Sequence, residues 1–164
     1  MRYVLIILSL FLLAFDYGTL LQMDRLLGED LSTFPGILPC EGKIGSRFGV
    51  DRGDHLHAGI DIPGIPGTVI HATGAGTVEY SGWSPGRGGY GLHVIIDHGN
   101  GFKTVYGHMR TRYVSTGDKV ERGQPIGEMG FSGYCRPKGP RGCHTHYGVK
   151  LNGNSVDPMR YIVR

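Results

Sequence analysis

Beyond residue 30 the sequence carries no long helical periodicity, no low-complexity tract and no repeat of solenoid period. A repeat array is thereby excluded, and attention moves from helices to strands. Strong charge of one sign is also missing. Lys+Arg number 17 and Asp+Glu 14, a formal net charge of +3, which is too mild to point to nucleic-acid binding. Cysteine is scarce, with Cys40, Cys135 and Cys143 the only three. The last two flank a loop rich in Pro, Gly, Lys and Arg, and in an oxidising compartment they are expected to close it as a disulfide. Cys40, preceded by Leu38-Pro39 and distant from the apolar N-terminal stretch, is a poor point for lipid attachment.

What the chain has in excess is glycine, 29 of 164 residues, punctuating short apolar runs. A length of 164 suits one compact domain with a real core and is short for two. The expected fold is therefore all-β, a compact and mostly antiparallel β-sandwich or open barrel rich in tight turns. Strand-like runs cover residues 68–72, 76–80, 92–97, 102–106 and 146–151, with loops over 64–67 and 84–91. Asn100-Gly101 between two of the runs is the strongest short-range hairpin signature available.

The N-terminus differs from everything after it. Arg2 precedes an apolar stretch from Tyr3 to Phe15 broken only by Ser9, the pattern of a secretory signal. No clean Ala-x-Ala cleavage site follows, and apolar residues resume at Leu20 and Leu21, so a removed signal and an uncleaved signal-anchor both remain open. Residues 1–22 are expected to be this signal or anchor, 23–40 a connector with a short helix near Asp24–Leu31, and 41–164 the domain proper. Either alternative exports the domain, to the periplasm or beyond, with a membrane tether in the second case.

Eight histidines in so short a chain draw attention by their spacing. His57 and Asp61 are four apart, His144 and His146 two apart, and even spacings in extended chain share a face. His108 follows Tyr106-Gly107 at the expected end of the strand begun by the hairpin. Each element alone is weak, because polar strand faces are common. Together they offer the three N and O ligands that a catalytic Zn²⁺ site needs, with imidazoles left over for proton transfer. No His-Glu-x-x-His is present, so the glutamate base of that motif is missing and an imidazole is the candidate to replace it.

The order of these segments resembles the lysostaphin-type zinc metallopeptidases. The similarity runs through Gly45-Ser46-Arg47-Phe48-Gly49, His57-Ala58-Gly59-Ile60-Asp61 and the stretch from Gly89 to Gly101. It continues in Thr104-Val105-Tyr106-Gly107-His108-Met109, in Val120 to Gly127, and ends at His144-Thr145-His146. The resemblance implies one Zn²⁺ per chain bound by His57, Asp61 and His146. It implies His108 and His144 as catalytic histidines, without saying which is base and which stabiliser. It also implies an endopeptidase acting on the peptide cross-links of bacterial peptidoglycan, first a bond between D-alanine and a diamino acid, second a glycine bridge.

Two departures stand out. Ser132 to Cys143 is longer and more basic than the short turn usual there, bringing Arg136, Lys138 and Arg141, and Gly148 stands where the family has glutamate. The first bears on substrate choice, since loops reshape grooves, or is a solvated insertion. His55, His71, His93 and His98 are expected in structural or surface roles, with His55 nearest the pocket. Trp83, Tyr90 and Tyr106 are candidates for a groove wall or for the core. Two other functions compete. A non-catalytic wall-binding or hydrolase-activating domain of the same fold should have lost a ligand, and none is lost here. Val114 to Gly127 resembles half of a lipoyl or biotin carrier domain, but Glu128-Met129-Gly130 lacks the attachment lysine.

Overall fold

Residues 31–84 and 89–163 are described by the computed structural model. The signal or anchor expected over residues 1–22 lies outside them. So does the expected connector helix except for Leu31, which opens a 3-10 turn over Leu31–Thr33. Among the described residues no helix is long and apolar enough to cross a membrane.

Among the described residues nine strands form one open antiparallel sheet: β1 (Ile60–Pro63), β2 (Val69–His71), β3 (Gly76–Trp83), β4 (Leu92–Gly99), β5 (Phe102–Arg112), β6 (Lys119–Val120), β7 (Pro125–Met129), β8 (His144–Leu151) and β9 (Asn154–Val156). The main order is β1-β8-β5-β4-β3-β6, with β7 joining β2 to β5 and β9 added beside β8. Of the two architectures expected, the molecule adopts the open one. Asn100-Gly101 turns β4 into β5 with both residues at positive φ, 49° and 81°. A second hairpin of the same kind, Asn152-Gly153, joins β8 to β9.

The longest strand, β5, does two jobs. Its first half pairs with β8 up to Gly107↔His146, and its second half pairs with β7 from Met109↔Met129. The change of partner falls on His108, whose φ of 61° is a left-handed conformation unusual for a residue with a Cβ. Towards β4 the register shifts between Leu92↔Met109 and Val94↔Tyr106, where Gly107 and His108 of β5 face the single residue His93 of β4. Such a bulge bends the strand and re-aims a side chain. The strand thus continues past the end expected from its sequence, bent at the candidate catalytic histidine.

Beneath the bend the core is aliphatic and aromatic, with Ile60, Ile62, Val94, Ile96, Met109 and Val149 fully buried. Each such side chain contributes about 1.5–3 kcal/mol of burial. Tyr106 and Tyr147 are also fully buried, so Tyr106 belongs to the core and not to a groove wall. Their polar tips are satisfied internally. The Tyr106 hydroxyl accepts from the Thr73 backbone N–H at 2.9 Å and lies 2.9 Å from the hydroxyls of both Thr73 and Thr104. Tyr147 donates to Thr73 at 3.0 Å, and His98 joins the chain at Thr104 while its Nδ1 donates to the Ala75 carbonyl. Phe34, Leu38 and Cys40 pack onto this core from the N-terminal side, Phe34 meeting Phe102 and Tyr161 edge to face.

All three cysteines are free. Cys135 and Cys143 do not form the expected bridge because their sulfurs serve different neighbours. Cys143 packs in the apolar core, whereas the Cys135 thiol donates to the Ser132 carbonyl at 3.5 Å.

The buried hydroxyl network makes a prediction. Tyr106→Phe removes one oxygen and leaves the Thr73 N–H without its partner, at a cost of about 1–3 kcal/mol. Chemical denaturation is expected to show a lower midpoint with an unchanged slope; an unchanged midpoint would show that the network does not support the fold.

Candidate metal centre

Three neighbouring strands bring the sequence-expected residues to one place. Asp61 on β1 stands directly opposite His146 on β8, and His146 stands opposite Gly107 on β5. His144, two residues before His146, shares its face. His57 arrives differently from the extended-chain expectation. It precedes β1, in a loop tied back by the His57 N–H to the Val50 carbonyl and by the Gly49 N–H to the His57 carbonyl, both at 2.9 Å.

Three donor atoms then form a nearly equilateral triangle. His57 Nε2 lies 3.0 Å from Asp61 Oδ1, His146 Nδ1 lies 3.1 Å from Asp61 Oδ1, and the two nitrogens are 3.1 Å apart. Tetrahedral Zn²⁺ with bonds of about 2.0–2.1 Å wants its ligands about 3.3 Å apart, so the triangle fits with a few tenths of an ångström of expansion. Among the described residues this is one of two clusters whose donor atoms all lie within 4.8 Å of one another. The set of two imidazoles and one carboxylate is the mixture that divalent zinc favours.

The surroundings orient these donors. His57 Nδ1 donates to the Arg47 carbonyl at 2.8 Å, which leaves the Nε2 lone pair facing Asp61. Arg52 donates to Asp61 Oδ2 at 2.6 Å and to Ser46 Oγ at 3.0 Å, so it holds one carboxylate oxygen and leaves the other for the histidines. Burial alone would push the Asp61 carboxyl up. Contacts with His146, His57 and the Arg52 guanidinium outweigh it and hold the group well below the usual carboxylate range. Tyr90 stacks on His146 with ring centroids 5.0 Å apart. Glycine at 107 gives this stack room, since a Cβ there would sit 3.2 Å from Tyr90 Cβ and 3.3 Å from His146 Cβ. His146 Nε2 is buried without a hydrogen-bond partner.

His108 and His144 face the triangle as a second pair, ring centroids 4.5 Å apart. Their Nδ1 atoms donate to the backbone carbonyls of Ser132 and Gly142, each at 2.8 Å. Both therefore turn an Nε2 lone pair towards the centre, and that of His144 is 3.7 Å from Asp61 Oδ1. Burial, joined by repulsion from His144, pushes His108 down to about 4. It is a neutral imidazole near pH 7, able to accept a proton.

All five residues singled out in the sequence meet in one groove. Arg136, Lys138 and Arg141 of the long loop form one cationic wall, and Trp83 and Tyr90 contribute aromatic surface. His55 lies at its edge, paired with Asp54, while buried His93 stacks on Tyr80. Sequence reasoning missed Arg52 and the carbonyls of Arg47, Ser132 and Gly142. Backbone acceptors leave no mark in side-chain identity, and Arg52 looks like an ordinary loop charge.

The model of Peptidase family M23 matches residues 55–158. The chain is 36% identical over 124 residues to the murein hydrolase activator NlpD of Escherichia coli, covering 76% of this chain and 30% of the relative. It is 38% identical over 104 residues to the DD-carboxypeptidase/endopeptidase Mpg of Neisseria meningitidis serogroup B, covering 63% of this chain and 22% of the relative. The chain thus spans a third or less of the length of both. Among solved structures, the catalytic domain of lysostaphin from Staphylococcus simulans superposes with a TM-score of 0.62 at 28% identity, covering 72% of this chain and 90% of that one. The lysostaphin-type resemblance and the open antiparallel sheet agree with these matches, and the chain belongs to Peptidase family M23.

Proposed function

We propose that the chain is an exported zinc-dependent endopeptidase that hydrolyses peptide cross-links of bacterial peptidoglycan, with His57, Asp61 and His146 as the metal ligands. The observation that carries this reading is the complete set: a three-donor triangle with two further imidazoles aimed at its open side. When bound, zinc supplies Lewis acidity, lowering the pKa of water and polarising the scissile carbonyl. The protein's own contribution is positional. Carbonyls of Ser132 and Gly142 fix His108 and His144 so that each Nε2 can take a proton from the attacking water or hand one to the leaving amine. Arg52 keeps Asp61 ionised and turned. The cationic wall of Arg136, Lys138 and Arg141 suits a peptide bearing free carboxylates.

A second reading has its own support. The E. coli relative is named a murein hydrolase activator, and a domain of this fold could stimulate another wall hydrolase without turnover. The meningococcal relative, at 38% identity, is named a DD-carboxypeptidase/endopeptidase but matches 63% of this chain against 76% for the activator, so similarity leans towards the activator reading. The intact ligand set favours the enzyme.

Variants separate the roles. His146→Ala is expected to weaken zinc binding by more than the 10–100-fold (roughly) of an outer-shell loss and to abolish peptidoglycan digestion. His108→Ala is expected to keep its zinc and lose about 10²–10⁴-fold in turnover. Undiminished digestion by purified His108→Ala, or metal-free stimulation of a separate murein hydrolase by the wild-type protein, would transfer the weight to the activator reading. Arg52→Ala leaves every ligand in place and is expected to weaken zinc about 10–100-fold. Equal zinc affinity in that variant, measured by competition with a chromogenic chelator, would remove Arg52 from its orienting role.

A further inference from the structure

The thiol of Cys135 has no part in the chemistry above, yet it is buried beside the two histidines that do. Cys135 Sγ, one ring nitrogen of His108 and one of His144 lie within 4.8 Å of one another, the second cluster of this kind among the described residues. All three side chains are tied by the loop that precedes β8. The Ser132 carbonyl accepts from both His108 Nδ1, at 2.8 Å, and Cys135 Sγ, at 3.5 Å. The Gly142 carbonyl accepts from His144 Nδ1 at 2.8 Å. With both Nδ1 protons given to carbonyls, each imidazole keeps Nε2 as its free donor, which is how metal-binding imidazoles are ordinarily oriented.

We propose that His108, Cys135 and His144 form a second metal site, distinct from the His57-Asp61-His146 triangle, which takes a thiolate-tolerant divalent cation such as Zn²⁺ or Co²⁺ and blocks the enzyme when filled. Two imidazoles and a thiolate are a donor set that both ions accept. Burial raises the Cys135 thiol to about 11, with Cys143 and Asp61 adding to the rise. The metal-free side chain is therefore the neutral thiol, and binding forms a metal–sulfur bond while releasing one proton to solvent. Occupation here is inhibitory by elementary bookkeeping of lone pairs. Once both Nε2 atoms are bound to a cation, neither can accept a proton from water. The site itself stands on the cluster alone, whereas its inhibitory effect rests on the catalytic roles proposed above.

The test uses the full chain, titrated with Co²⁺ and with Zn²⁺. Wild-type protein is expected to bind two equivalents, the second with a near-ultraviolet sulfur-to-cobalt charge-transfer absorption. Cys135→Ala is expected to bind one equivalent without that absorption, and His146→Ala to keep the absorption. In peptidoglycan digestion Cys135→Ala is expected to tolerate at least about tenfold more free zinc than wild type before slowing, since even losing a group behind a ligand costs that much. An absorption present in wild type and in His146→Ala with only one equivalent bound would uphold this site while defeating the His57-Asp61-His146 reading. Wild-type protein that takes up cobalt with no thiolate absorption overturns the second site. So does an absorption that persists in Cys135→Ala, since it would then arise from Cys40 or Cys143.

Discussion

The antiparallel register of β8, held between β1 and β5, is the constraint on which the rest of the molecule depends. With Asp61 opposite His146 and His146 opposite Gly107, three side-chain positions are fixed in a row across neighbouring strands. A slip of one residue would turn His144 and His146 to the other face and bury Thr145 at the centre instead. At one end of the strands the Asn100-Gly101 and Asn152-Gly153 hairpins meet, the Asn152 N–H donating to the Gly101 carbonyl at 2.9 Å, which ties β8 to β5 there. At the other end the bulge at His108 releases β5 from β8 and passes it to β7. One bend thus closes the core and points an imidazole into the groove.

Placing a carboxylate in so sheltered a position is costly, and several kcal/mol are lost for a buried ion without partners. The cost is met locally. Arg52 supplies a full charge at 2.6 Å, and ring nitrogens of His57 and His146 lie 3.0 and 3.1 Å from the other oxygen. The result is a sheltered carboxylate with ring nitrogens beside it, an arrangement that attracts a divalent cation. The same loop architecture explains why the cysteine cluster is adjacent: the Ser132 and Gly142 carbonyls that orient His108 and His144 belong to the segment that also carries Cys135.

Much of this was legible in the sequence, for physical reasons. Strand and hairpin positions follow from apolar runs bounded by turn residues, so Leu92 to Asp97, Phe102 to Tyr106 and their Asn100-Gly101 turn are found where expected. His144 and His146 share a face because the strand period is two. His57 was harder, because its approach depends on a loop braced by backbone bonds rather than on strand alternation. The expected disulfide failed because loop composition says nothing of where a sulfur points; the core claims Cys143, and Ser132 claims Cys135. The left-handed conformation of His108 could not be read at all, since sequence favours glycine or asparagine there and the surrounding strands override it.

The central claim is that the His57-Asp61-His146 triangle binds zinc and that the zinc serves hydrolysis. The most direct measurement is to purify the full chain, quantify its bound metal, and incubate it with isolated peptidoglycan with and without a chelator. New peptide termini, identified by mass spectrometry of the released muropeptides and abolished by the chelator, are the predicted result, together with zinc on every chain. Protein that binds no zinc and releases no muropeptides would contradict the claim.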